Sequence, residues 1–211
     1  MKITKYVHSC LLVETPSATI LIDPGSFSYD SHLLQIPALQ RLDYIIVTHE
    51  HSDHYAPEFL KQLCAKFPHA PIITNEDLSQ KIAAEGIKNQ LITGSQENIE
   101  VFPIDHEPLP LDMPVPPQIG VHIDKLLTFP ADGFGFKSTR DVLALPLTAP
   151  WGSVTQALNA AVAAKPKKVI PVHDWHWHKQ ARESMYNMSK QLLEPHDIEF
   201  IALENAQPIE F

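Results

Sequence analysis

The chain reads as an α/β protein of the α+β kind: two mixed β-sheets with helices on their outer faces. Three observations predict this. Short apolar runs over residues 3–6, 9–14 and 19–22, closed by the turn Asp23-Pro24-Gly25, have the pattern of an antiparallel meander. Strand-like and helix-like stretches then alternate in both halves, which suits layered sheets and helices. No repeat, low-complexity tract or linker interrupts the 211 residues. That length buries a substantial core without disulfides, so one domain over 1–211 is expected.

Each element follows from its local pattern. Residues 44–47, Tyr-Ile-Ile-Val, form a wholly apolar run and predict a buried strand. Over 57–66, Phe59, Leu60 and Leu63 fall at helical spacing. Residues 71–74 and 99–104 read as strands, with a helix over 76–85 between them and Asn75 as its N-cap. Prolines at 103, 108, 110, 114, 116 and 117 rule out a helix or a central strand there and predict an ordered loop. Beyond it, strands are expected at 126–129, 141–145, 168–172 and 198–202, and helices at 153–164 and 179–193.

Composition narrows the function. The formal net charge of −9 is spread along the chain with no Lys/Arg-rich block, which disfavours a nucleic-acid partner. Cys10 and Cys64 are far apart and in no CxxC arrangement, so two buried reduced thiols are expected rather than a disulfide or a thiolate metal site. No apolar stretch approaches the ~18 residues of a membrane span, and the N-terminus has no signal-peptide pattern, so a cytoplasmic protein is expected. There is no glycine-rich phosphate loop, GxSxG elbow or Cys/His nucleophile signature.

Directly after the run 44–47 stands Thr-His-Glu-His-Ser-Asp-His, residues 48–54. Neutral imidazole and a carboxylate oxygen suit zinc, manganese or iron better than magnesium or calcium. A tight loop at a strand end can aim His49 and His51 at one point and Asp53 and His54 at a neighbouring one. Zinc takes about four ligands per ion, so two ions need donors from elsewhere. His106, Asp132 and His173 each follow the end of a different predicted strand.

His49, His51, Asp53 and His54 match the HxHxDH motif, and on these residues the chain resembles the metallo-β-lactamase superfamily. The opening Met-Lys-Ile-Thr-Lys-Tyr-Val-His-Ser-Cys and Ile-Leu-Ile-Asp-Pro-Gly, with Asp-Val-Leu-Ala-Leu-Pro-Leu and Pro-Lys-Lys-Val-Ile-Pro-Val-His later, resemble its small single-domain bacterial branch, which includes ascorbate-6-phosphate lactonase-like proteins. The resemblance implies a four-layer αββα sandwich with the metals at one edge. It implies a first metal position at His49, His51 and His106, a second at Asp53, His54 and His173, and Asp132 bridging them. One or two divalent ions follow, zinc first, with manganese or iron as alternatives. Family members often carry Gly where this chain has Val7 and Ala131.

The expected activity is hydrolysis by a metal-activated water, with Asp53 as the catalytic carboxylate, on a small ester, lactone or phosphorylated metabolite. A phosphodiesterase or nuclease is the first alternative, and a non-hydrolytic metal or di-iron redox protein the second. His8, His176 and Trp177 are candidates for contacting a small-molecule substrate, and Asp23 for fixing a turn or orienting an imidazole. His32, His69, His122 and His196 read as surface or packing residues. A homo-oligomer is compatible with the resemblance.

Overall fold

Thirteen strands, β1 to β13, and five helices, α1 to α5, follow one another in the computed structural model, which describes residues 1–211. They divide into two compact units, residues 1–94 with 203–211 and residues 95–202.

The first unit starts with the expected meander. β1 (Lys2–Val7), β2 (Cys10–Glu14) and β3 (Thr19–Ile22) pair antiparallel, and β4 (Tyr44–Ile46), β5 (Ile72–Ile73) and β6 (Leu91–Ile92) add to it in parallel. β13 (Pro208–Glu210) closes the other edge against β1. Between these strands lie α1 (Ser26–Ser31), α2 (Pro57–Lys66) and α3 (Glu76–Ala84). Phe59, Leu60 and Leu63 of α2 and Leu78 and Ile82 of α3 pack in one cluster with Leu21, Ile45 and Ile72 of the sheet. Each such side chain contributes roughly 1.5–3 kcal/mol by leaving water. Asn75 caps α3 as expected: its side-chain oxygen accepts from Leu78 N–H at 2.9 Å. Its amide also donates to the carbonyl of Thr48 at 3.1 Å, which ties the cap to the start of the histidine loop.

The second unit repeats the scheme with other residues. β7 (Ile99–Pro103), β8 (Ile119–Ile123) and β9 (Leu127–Phe129) pair antiparallel, and β10 (Val142–Pro146), β11 (Lys168–Val172) and β12 (Glu199–Phe200) continue in parallel. Every residue of β10 is buried, as befits a strand flanked on both sides by parallel neighbours. α4 (Val154–Ala164) opens with a capping box between Ser153 and Gln156, and α5 (Lys179–Leu193) supplies Tyr186 and Leu193 to the core.

Four elements lie outside the sequence-based expectation: α1, β6, β8 and β13. β6 and β13 are two and three residues long, too short for a period to show. β8 contains Gly120, where a Cβ would come within 2.2 Å of the Phe102 ring. The glycine is there for a cross-strand neighbour that only the fold reveals. The proline-rich stretch holds one short 3-10 turn, Pro110–Asp112, and no other element between β7 and β8. Cys10 and Cys64 are buried and unpaired with each other; burial pushes their thiols up to about 12 and about 11. No helix is long and apolar enough to cross a membrane.

Candidate metal centre

In the first unit, β3 and β4 run parallel, and the chemistry sits just past their C-terminal ends. Asp23 follows β3, and the loop 48–54 follows β4. Gly25 is what lets the two segments touch. A Cβ there would lie 1.8 Å from the carbonyl oxygen of Asp53, so only glycine admits the loop at this distance. Ser26 N–H donates to Ser52 O at 2.7 Å and Ala56 N–H to Pro24 O at 3.2 Å, clamping the loop on both sides.

Asp23 is fully buried and organises the loop. Its Oδ1 accepts from Thr48 N–H at 2.8 Å, and its Oδ2 accepts from Thr48 Oγ1–H at 2.9 Å and from His54 Nδ1–H at 2.6 Å. Burial pushes the Asp23 carboxyl up, while His54 and the Thr48 hydrogen bonds pull it back. Thr48 has given its one hydroxyl hydrogen to Asp23, so at 3.1 Å it accepts from His49 Nδ1–H. Both histidines therefore carry their proton on Nδ1 and present the Nε2 lone pair. His49 Nε2 lies 3.1 Å from His51 Nδ1, and His54 Nε2 lies 3.6 Å from Asp53 Oδ2. His8, from the turn between β1 and β2, reaches Asp53 Oδ2 with its Nε2 at 3.0 Å.

The second unit assembles its donors from three separate strand ends. His106 follows β7, Asp132 follows β9 and His173 follows β11. His106 Nδ1–H donates to Glu107 O at 2.6 Å and His173 Nδ1–H to Thr148 O at 2.7 Å. Carbonyls only accept, so these two rings also present Nε2 as a lone pair. Both turn it on one buried carboxylate: Asp132 Oδ2 is 3.6 Å from His106 Nε2 and 3.3 Å from His173 Nε2. Glu107 N–H to Asp132 O at 2.9 Å and Asp132 N–H to Gln118 Oε1 at 3.2 Å hold the two loops together.

The spacing of neighbouring donor atoms suits a divalent ion. Zinc–nitrogen bonds of about 2.0–2.1 Å at tetrahedral angles place ligand atoms about 3.3 Å apart. The neighbouring donor atoms here are separated by 3.1, 3.3, 3.6 and 3.6 Å. A carbonyl or carboxylate on the far nitrogen, as His54, His106 and His173 have, is the arrangement that fixes a metal-ligating histidine, and the Thr48 hydroxyl takes that place for His49.

Backbone strain is present at these places too. His8, Asp23, Ala131 and His173 all have φ between 46° and 58°, the left-handed region that costs a side chain roughly 1–2 kcal/mol. Ala131 thus holds the conformation that the glycine common in the family would adopt without strain.

The remaining candidates divide. Trp177 is half-buried and packs against the second unit's core, and His176 is exposed beside it, 6.1 Å between ring centroids. His122 is a packing residue, buried, stacked on Phe102 and hydrogen-bonded to Thr128. His32, His69 and His196 are exposed. Sequence reasoning missed Trp151, which is buried with its ring 5.8 Å from His106 and 5.2 Å from His173. The only local signal was its place beside Gly152, just before the α4 cap.

A model of the beta-lactamase superfamily domain matches residues 2–110, more than half of the chain. The chain belongs to this superfamily. Its superfamily relatives include a UPF0173 protein of Pyrococcus abyssi, 29% identical, with 82% of this chain and 83% of that one covered. A UPF0173 metal-dependent hydrolase of an Exiguobacterium is 26% identical over 82% of this chain and 85% of its own. Among solved structures, the metallo-beta-lactamase fold protein YhfI of Bacillus subtilis superposes with a TM-score of 0.69 at 17% identity, covering 100% and 99% of the two chains. The fold is the metallo-β-lactamase fold, two mixed sheets with their helices, and its His/Asp clusters are able to hold metal ions.

Proposed function

We propose that the chain, a metal-dependent hydrolase like the relatives it matches, acts on a small ester, lactone or phosphorylated metabolite, as a cytoplasmic enzyme. The observation that carries this is the anchoring of four histidines through Nδ1, which leaves the Nε2 lone pair of each for a metal ion. The ligands would be His49, His51, Asp53 and His54 of the first unit and His106, Asp132 and His173 of the second. Zinc is the first choice for these donors, manganese or iron the alternatives. An ion so held supplies Lewis acidity and lowers the pKa of water from 15.7 to about 7.

The residues then divide the remaining work. Asp53 is 21% exposed at its side chain, more open than its buried neighbours, and can meet both solvent and substrate. Its carboxylate orients the attacking water and takes up the proton, and the oxygen adds to the carbonyl carbon or phosphorus. The bond to the leaving oxygen breaks, and that oxygen receives the proton back. The net charge of −9 favours a small-molecule substrate over a nucleic acid.

The test is a screen of zinc- and manganese-loaded protein against lactones, esters, small phosphodiesters and single-stranded oligonucleotides. Turnover of a small substrate, abolished in Asp53→Ala, supports the proposal; wild-type turnover in that variant with its metal content unchanged would overturn the role given to Asp53. Cleavage of oligonucleotides with a steep salt dependence would favour the nuclease alternative, and an iron content with a charge-transfer absorption band the redox one.

A further inference from the structure

Asp53 carries the heaviest chemical role, and its carboxylate is held by a residue 45 positions earlier in the chain. His8 Nε2 lies 3.0 Å from Asp53 Oδ2. Four features show that the fold invests in this contact. His8 lies in a two-residue turn between strands, a place where a histidine ordinarily meets water, and yet only 2% of it is exposed. Its backbone is held at φ 58°, a conformation that disfavours any residue with a Cβ. The β1–β2 register slips between Lys5 and Val7, an irregularity of the kind that re-aims a side chain. Its ring is gripped edge-on by Phe27, at 5.1 Å between centroids, and by His54, at 5.9 Å.

From this we infer that His8 is a positioning residue for Asp53, an inference that rests on the role of Asp53 given above. Nε2–H donates to Oδ2. With one oxygen tied by a charge-assisted hydrogen bond, the carboxylate cannot rotate about its Cβ–Cγ bond, and the direction of the other oxygen is set. His8 acts on the ion and on the reaction only through that orientation, in the way Asp23 acts through His54. The donor atoms of His8, Asp53 and His54 all lie within 4.8 Å of one another, so a direct ligand role for His8 is the competing arrangement that a test must separate.

The discriminating experiment is a double-mutant cycle read by metal release rather than by turnover. The zinc-loaded full chain is mixed with a chromogenic chelator, and release is timed for the wild type, His8→Asn, Asp53→Ala and the double variant. Asn tolerates a left-handed backbone but is too short to reach Asp53, whereas Gln places an amide N–H near the position of Nε2. His8→Asn is expected to release zinc 10–100-fold faster than the wild type, His8→Gln to return to within a few-fold of it, and His8→Asn to change the rate less than twofold once Asp53 is Ala. Should His8→Asn fail to fold, His8→Gly, which adopts the left-handed backbone freely and has no side chain to reach Asp53, takes its place in the cycle with the same expected outcomes. Multiplying effects in the double variant, or a wild-type release rate in His8→Asn, would overturn the inference while leaving the metal centre intact. A wild type that takes up no zinc would overturn both.

Discussion

The two units supply the same chemical groups by opposite means. In the first, four donors come from a single seven-residue loop after β4, clamped by the Asp23-Pro24-Gly25 turn. In the second, three donors come from the ends of β7, β9 and β11, spread over 68 positions and held together by loop carbonyls, Gln118 and the Trp151 ring. A compact loop concentrates its vulnerability in the backbone that supports it. A dispersed set depends on the packing between its strands.

The difference can be broken from either side. Trp151→Ala, which removes the ring lying against His106 and His173, should cost about 3–5 kcal/mol of stability, read by denaturant unfolding. A change below about 1 kcal/mol would mean that the carbonyl contacts suffice to hold the dispersed set. Gly25→Ala should cost about 3 kcal/mol, because the new methyl meets backbone that can only yield by moving the loop. That variant should also lose its metal although no ligand has changed; metal content equal to the wild type would show that the loop holds itself. Asp23→Asn keeps the shape but weakens the acceptor for His54 and Thr48, and should reduce metal affinity by 10–100-fold in chelator competition.

The smallest expected effect distinguishes a packing histidine from a ligand. Burial, with Arg140 nearby, pushes the pKa of His122 down from its usual value. Its folded pKa lies below its unfolded one near 6.5, so its contribution to stability is present above that pH and fades as pH falls toward the folded value. Between pH 7.5 and 5, the melting temperature of the metal-free wild type should therefore fall further than that of His122→Gln. Equal falls would remove His122 from the acid response.

How much of this was readable in advance follows the same division. The loop half stood out because its donors are contiguous: three histidines and an aspartate in seven residues point to a metal. His106, Asp132 and His173 were found only because each follows a strand-like run, and a set of strand ends becomes a site only when the sheet orders them. Gly25, Thr48 and Trp151 were invisible as functional residues. Their roles lie in a Cβ that is not there, a hydroxyl whose one hydrogen is already committed, and a ring that packs on histidines 45 and 22 positions away. Ala131 looked like a departure from the family, yet its backbone keeps the left-handed turn.

The most direct measurement is the metal content per chain, by elemental analysis of protein purified without added metal or chelator, for the wild type, His51→Ala and Asp132→Ala. Near-stoichiometric zinc or manganese in the wild type, lost from both variants, is the expected result, since one variant is taken from the loop half and the other from the dispersed half. A wild type that cannot be loaded even by reconstitution, or an Asp132→Ala protein with its full complement, would contradict the metal-centre account.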